Sequence, residues 1–442
     1  MQDVLTYMTR KYLHEYGVNS WPGDSAIGGD MMKNSTMDTA TKAYGDAIVM
    51  YAKANYKLCL REPEGILHHK FLVPGSCYAN ELWDWDCWLT GVALHKIANP
   101  QELLPYEQGC VLNFLEYTDE EGRMPIFITP RKTALTAYSE GEKNIHKPCI
   151  AQHALFITER CGSAEWLRGQ YDAIVRYLDW YDRNCLHESG LYVWLDDFAI
   201  GVDNDPCTFY RPAKSSGSIF LNCLMYKELL AASKLAEILG LPNAAVYTQK
   251  ATLLYNTIQT QCWDDRDGIF YNVDTNLLPI DKTQALHSGC PRHWTTLLQR
   301  IEVWTCFLPM WAGIATPEQA ERMVKEHYLN ERTFNAPYGV RTLSKMEKMY
   351  AIIKSGNPSC WLGPIWGISN YMVFAGLQKY SYLQNAQELA KKTIRLFGRD
   401  IIACDQMHEY YNPETGEGVN NPGFQNWNFL AVTMFDWLKK EC

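Results

Sequence analysis

Apolar and polar positions along the chain recur at the period of a helix. In SAEWLRGQYDAIVRYLDWYDRN, Leu167, Tyr171, Ile174, Leu178 and Tyr181 follow one another at steps of four and three, which marks one apolar face behind an N-cap at Ser163. TPEQAERMVKEHY opens with Thr316 as cap, Pro317 at the first helical position and Gln319 to complete a capping box. SIFLNCLMYKELLAASKLAEILG is apolar on most sides, so it predicts an inner helix buried all round, stopped by Gly240. The same reading predicts helices at about 38–59, 80–97, 103–117, 150–161, 164–184, 217–239, 243–262, 294–313, 317–328, 361–378, 383–396 and 425–439. Strand signals are short. SGLYVW and DDRDGIFYNVD predict small hairpins with turns at Gly190 and Asp267-Gly268.

Helices in that number, with short connections, close as six hairpins: an apolar inner ring inside an amphipathic outer one. The expected class is all-α, an (α/α)6 barrel. A solenoid of helix pairs is the alternative. The ring is preferred because the long loops rich in aromatics and acids need one common end at which to meet. No low-complexity linker and no fixed repeat divides the sequence. Residues 1–442 are therefore expected to form one domain, with 1–37 as a helical or irregular lead-in.

Composition narrows the function classes. The chain carries 15 Trp and 27 Tyr, more flat apolar faces with a polar edge than a core requires, and such faces suit sugar rings. A net charge of −9, with no basic stripe, argues against nucleic acid or an anionic membrane surface as partner. The N-terminal residues do not read as a signal peptide, and no apolar run reaches the ~20 residues of a membrane span. The 15 cysteines are scattered without CxxC pairs, as for small buried hydrophobes in a reducing cytoplasm. No cofactor and no metal are expected. Asp203-Asn204-Asp205 begins like a calcium loop, but Cys207 stands at the next ligand position and no glycine follows.

Four loops between the predicted helices carry the candidate chemistry. YANELWDWDCW, starting at Tyr78, holds Asp84 and Asp86 among Trp83, Trp85 and Trp88. An unpaired buried carboxylate is costly, whereas a sugar offers hydroxyls to the acids and a C–H face to the indoles. Either acid alone also fits a helix cap. GVDNDP places Gly201 where the backbone can approach a ligand and stiffens its exit with Pro206. Asn204 and Asp205 suffice for an Asx-turn, which leaves Asp203 without a structural duty, in a setting where a carboxyl can be desolvated and its pKa raised. PSCWLGPIWGISNYMV breaks its helical pattern at Gly363-Pro364, between Trp361 and Trp366, with Asn370 one turn on. CDQMHEYYNPETGEG sets Glu409 between His408 and Tyr410, a setting for a carboxylate that stays ionised and holds a water. Two carboxylates on loops at one rim, among Trp and Tyr, match the needs of glycoside hydrolysis.

WDWD, GVDNDP, GPIWGISNY and HEYYNPETGEG, in this order, resemble the motifs of glycoside hydrolase family 63, above all its compact bacterial members, over about residues 70–430. The resemblance implies an (α/α)6 barrel and anomeric inversion, with Asp203 as general acid and Glu409 as general base. It implies a sugar subsite lined by Trp83, Trp85 and Asp86 and completed by Gly363, Trp366 and Asn370. Tyr78, Gly201, Trp361, His408 and Trp427 are further candidate contacts, as are Lys147 and Gln152 around HKPC, where the family's usual stretch is replaced. Leu362 likewise stands where many members carry arginine. Arg211, Arg341 or Lys147 is a candidate to receive a glycerate carboxylate.

The expectation is a cytoplasmic, exo-acting, inverting α-glycosidase for a small α-glucoside or α-mannoside, with a homo-oligomer left open. An (α/α)6 sugar epimerase, a polysaccharide lyase and a non-catalytic helical-repeat carbohydrate-binding protein are the alternatives.

Overall fold

The computed structural model describes residues 37–133, 143–278, 283–285, 294–352 and 359–441. All of the expected lead-in but its last residue, Met37, lies outside these residues.

The helices follow from local signals. Asp38 caps α1 (Thr39–Asn55) by accepting from the Thr41 amide at 2.9 Å. Asp84 and Asp86 stand in the first turn of α2 (Asp84–Leu94), where negative charge suits the helix dipole. Next come α3 (Pro100–Glu116), α4 (Ile150–Cys161), α5 (Tyr171–Asn184) and α6 (Ile219–Leu239). Gly240 ends α6 in the left-handed conformation, φ 69°, as its sequence predicts. Beyond it lie α7 (Ala244–Gln261), α8 (Leu308–Ala312) and α9 (Pro317–Arg322), the last with the full Thr316–Gln319 capping box. A π-helical turn, Met323–Tyr328, extends α9. The described chain ends with α10 (Gly367–Lys379), α11 (Leu383–Cys404) and α12 (Leu430–Glu441).

Three expectations need correction. The span 294–313 is not one helix: Leu297–Gln299 pairs with Asn272–Asp274 as a strand, and only Trp304–Ala312 turns, first as a 3-10 helix. A short apolar run has no period that separates strand from helix, and the partner strand decides. The segment 361–378 becomes helical only at Gly367, because Ile365–Trp366 pairs with Tyr410–Tyr411. Ser163 is not the cap of α5: its hydroxyl accepts from the Glu165 amide at 3.2 Å ahead of a short 3-10 turn, Glu165–Leu167, whose N-cap is Ala164, and α5 starts later at Tyr171.

Alternate helices pack on one another. Contacts run from α2 to α4, α6, α8, α10 and α12, and α12 returns to α2. The intervening helices lean on this series or on one another: α1 on α12 and α11, α11 on α10 and α12, α3 on α2 and α4, α7 on α6. The buried side chains join into one large apolar cluster through all of them, with a small second cluster of Ile126 and Phe127 beneath Trp83 and Ala199. The described cysteines are free thiols, most of them buried. Among the described residues no helix is long and apolar enough to cross a membrane.

Two-residue strand pairs tie the loops that leave these helices. Leu82–Trp83 pairs with Phe127–Ile128, and Ile365–Trp366 with Tyr410–Tyr411. The second pair fastens two of the four acid- and aromatic-rich loops side by side. That pairing brings distant parts of the chain to one cavity.

Candidate active site

The cavity has a volume of about 300 Å³, at the lower end of the ~300–1,000 Å³ of small-molecule pockets. Four of its buried walls are indoles: Trp85, Trp361, Trp366 and Trp427 are each no more than 4% exposed. Trp361 stacks on Trp366 with centroids 3.9 Å apart, and Trp366 stacks in turn on Tyr410 at 5.0 Å. Trp427 meets Trp85 edge to face at 5.2 Å, and its buried Nε1–H has no hydrogen-bond partner among the described residues. Tyr78, Trp83, Asp86, Lys147, Gly201, Asp203 and Glu409 also line the space. The cavity therefore collects residues from all four loops.

Glu409 owes its position to the short sheet. Its neighbour Tyr410 pairs with Trp366, and its amide donates to the Asn420 carbonyl at 2.9 Å. Its carboxylate accepts from Asn421 Nδ2 at 2.6 Å, from Asn420 Nδ2 at 3.4 Å and from the Tyr78 hydroxyl at 3.5 Å. Burial pushes its pKa up to about 7, the charge of Asp203 adds to the rise, and the amide donors oppose it. Glu409 is thus poised to take a proton near neutrality, and is less firmly ionised than its sequence setting implies.

In GVDNDP, Gly201 has φ 87°, and a Cβ there would lie 2.7 Å from Lys147 Cε and 3.0 Å from the Trp85 ring. Only glycine fits. Asn204, also left-handed at φ 52°, accepts from the Trp361 amide at 3.0 Å and donates to the Ser359 carbonyl at 3.3 Å, so it stitches this loop to the next. The carboxyl that the loop desolvates is Asp205. It is buried, accepts from the Cys207 amide at 3.0 Å and is raised to about 6 by burial, whereas Asp203 faces the cavity and is partly exposed.

The first loop splits its two acids. Asp84 is fully buried and takes Lys147 Nζ on both oxygens, at 2.9 and 2.8 Å, and the Lys147 amide at 3.0 Å. Asp86 faces the cavity, accepts from Asn426 Nδ2, and is raised to about 8 by burial and then by the Asp84 charge. So raised, Asp86 holds its proton toward neutrality, where the protonated form can donate a hydrogen bond to a ligand oxygen.

Several expected contacts are committed elsewhere and do not line the cavity. Gln152 donates to the Pro148 and Leu224 carbonyls at 2.7 and 3.1 Å. Arg211 pairs with Asp274. Gly363, at φ 138°, donates its amide to Thr342 Oγ1 at 3.1 Å. Asn370 accepts from the Val340 amide at 2.8 Å and donates to Thr393 at 2.9 Å, which fixes the start of α10. His408 turns away, Nδ1 to Asp400 at 2.8 Å. Arg341 is buried against Glu414 at 2.7 Å. Lys147 does line the cavity, but its charge is spent on Asp84. The sequence reading missed Asn420, Asn421 and Asn426 beside the acids, and Asp197, Phe198 and Phe209 in the lining. The doubled Asn of NNPG, where one suffices for a turn, was the available signal for the first two. Among the described residues no group of three or more His, Cys, Asp or Glu is arranged to hold a metal ion.

A model of the mannosylglycerate hydrolase MGH1-like glycoside hydrolase domain matches residues 79–428. The chain is 29% identical over 134 residues to the mannosylglycerate hydrolase MGH1 of Selaginella moellendorffii, covering 30% of this chain and 24% of that protein. Its matches span about a quarter to a half of the length of the first curated relatives. In fold it is similar to the GH63 mannosylglycerate hydrolase from Thermus thermophilus, solved in complex with glucose: TM-score 0.63, 17% identity, covering 85% of this chain and 97% of that one. The neutral trehalase of Saccharomyces cerevisiae shares the fold too, with TM-score 0.58, 16% identity and coverage of 89% and 82%.

Proposed function

The chain belongs to the mannosylglycerate hydrolase MGH1-like glycoside hydrolase family, and on that premise we propose that it is an inverting, exo-acting α-glycosidase for a small α-glucoside or α-mannoside. One observation carries the reading. Asp203 and Glu409 come from loops two hundred positions apart, yet they share one tryptophan-walled cavity, and the charge of Asp203 is felt at Glu409. Asp203, the more exposed, protonates the glycosidic oxygen. Glu409, held by Asn421, Asn420 and Tyr78, takes a proton from the attacking water. Asp86 and the Trp427 indole N–H supply donors to the sugar, and Trp83, Trp85 and Trp366 supply its apolar walls. Inversion requires the two carboxyls ~6.5–9.5 Å apart so that the water fits.

The helix order supports an (α/α)6 barrel as the architecture of this single catalytic domain, since the α2–α4–α6–α8–α10–α12 contacts return to their start. A reducing cytoplasm agrees with the free thiols. Paired-histidine epimerase chemistry finds no support, because no histidine is among the described residues lining the cavity.

Asp203→Asn and Glu409→Gln should each lower turnover of α-linked disaccharides and glycosylglycerates by at least about a thousandfold while leaving the circular dichroism spectrum intact. Proton NMR of the wild-type reaction should show the β-anomer first. Near-normal turnover in either variant, or a first-formed α-anomer, overturns the assignment.

A further inference from the structure

The cavity has a closed end and an open one. Trp85, Trp366 and Trp427 are buried, whereas Phe198 is 38% exposed and Asp197, Ala199 and Phe209 are partly so. An exo-acting glycosidase holds the terminal sugar at the closed end and releases the leaving group through the mouth. The chemistry of the mouth therefore selects the leaving group.

Among the described residues lining this end, the charge is acidic. Asp197 and Asp203 are half-buried in the lining, and Glu409 is buried. The three cations that were candidates to receive a carboxylate are each already paired: Lys147 with Asp84, Arg211 with Asp274 and Arg341 with Glu414, and Lys143, beside Asp197, is paired with Asp196. Lys147 is the one of these in the lining, and pulling it toward a ligand would leave Asp84 buried without its counter-ion, a costly exchange. A leaving group with its own carboxylate would meet the Asp197 carboxylate at the mouth. A neutral one meets an acceptor for its hydroxyls in that carboxylate, and apolar ring faces in Phe198 and Phe209 for its C–H surface.

Resting on the glycosidase reading above, we propose that the leaving group is an uncharged sugar or polyol, bound at the mouth by Asp197 and the rings of Phe198 and Phe209, and not a glycerate. The substrate is then an α-linked disaccharide or a glycosylpolyol. Asp197 is a specificity-determining residue: it rewards hydroxyl donors and repels anions.

Glycosylglycerol and glycosylglycerate isolate the charge, since they differ only in a CH2OH against a carboxylate. The wild-type kcat/KM for glucosyl- or mannosylglycerol, and for α-linked disaccharides, should exceed that for the corresponding glycerate by about tenfold or more. Asp197→Asn should narrow the glycerol-to-glycerate ratio by at least about threefold. Phe198→Ala should lower the ratio of kcat/KM for a disaccharide to that for the glycosyl fluoride, which has no leaving-group sugar, by about fivefold. A wild-type preference for the glycerate, with the fluoride hydrolysed, overturns this inference and leaves the glycosidase reading standing. Failure to hydrolyse even the fluorides overturns both.

Discussion

Asn421 holds a non-glycine residue in the left-handed region, φ 42°, and spends that conformation on aiming its amide at Glu409 (2.6 Å) and at the Tyr78 hydroxyl (3.2 Å). A donor to the charged form of a carboxylate lowers its pKa. Asn421→Gly keeps a backbone that glycine adopts freely and removes the donor. The acid limb of kcat/KM, set by Glu409 at about 7, should then move upward by roughly half to one pH unit, so that activity falls most at pH 6 and least at pH 8. A pH–rate profile with an unmoved or lowered acid limb refutes this role for Asn421. At this scale the candidate acids were legible in the sequence because each sits in a loop whose aromatic content a turn does not need. Their supports were not. Lys147 lies 63 positions from Asp84, and Asn426 lies 340 positions from Asp86, and no local pattern links members of such pairs. For the same reason Asn370 and Gln152 read as ligand-facing amides when both satisfy backbone groups of neighbouring elements.

Elements report their own chemistry well where their signals are local, and poorly where pairing decides. The Thr316–Gln319 capping box and the Gly240 stop formed as the sequence predicts, since both need only a few consecutive residues. The strand Leu297–Gln299 within an expected helix depends on Asn272–Asp274, which the apolar run itself does not reveal. The start of α2 shows the same division. Two acids in its first turn are readable from the helix dipole, yet what holds Asp84 there is the buried ammonium of Lys147, 2% exposed, from the segment before α4. Lys147→Met strands a buried carboxylate and should cost about 3–5 kcal/mol of stability, while adding Asp84→Asn should recover most of that loss. Urea denaturation of wild type, single and double variants measures it. A double variant no more stable than the single one would show that the pair is not the source of the loss.

Across the whole molecule, the helix-rich class was legible because apolar positions recur at helical period in segment after segment, and segments of that kind bury themselves by packing on one another. Hidden from the sequence was the number of ionisable groups this packing would take out of water. Burial raises Asp86 to about 8 and Glu107, Glu228 and Glu409 to about 7. It also lowers His146 to about 4 and His153 to about 3. The two sets act on opposite sides of neutrality. An acid raised in the folded state keeps its proton where the unfolded chain has lost it, so its stabilisation is complete below the unfolded value of about 4 and is lost as pH rises through 7–8. A histidine held neutral in the folded state takes up a proton on unfolding below about 6.5, so its stabilisation is lost as pH falls from there. Stability should therefore peak on the acid side of neutral and fall between pH 6 and pH 8, on the order of a few kcal/mol, with the four acids outweighing the two histidines in that window. The urea midpoint at the two pH values measures the drop. Asp86→Asn, neutral at both, should make it smaller, because Asp86 is the acid raised furthest and its ionisation contributes most. A midpoint that rises from pH 6 to pH 8 would mean that these carboxyls are solvated in the folded protein and that the cavity is wetter than its indole walls imply.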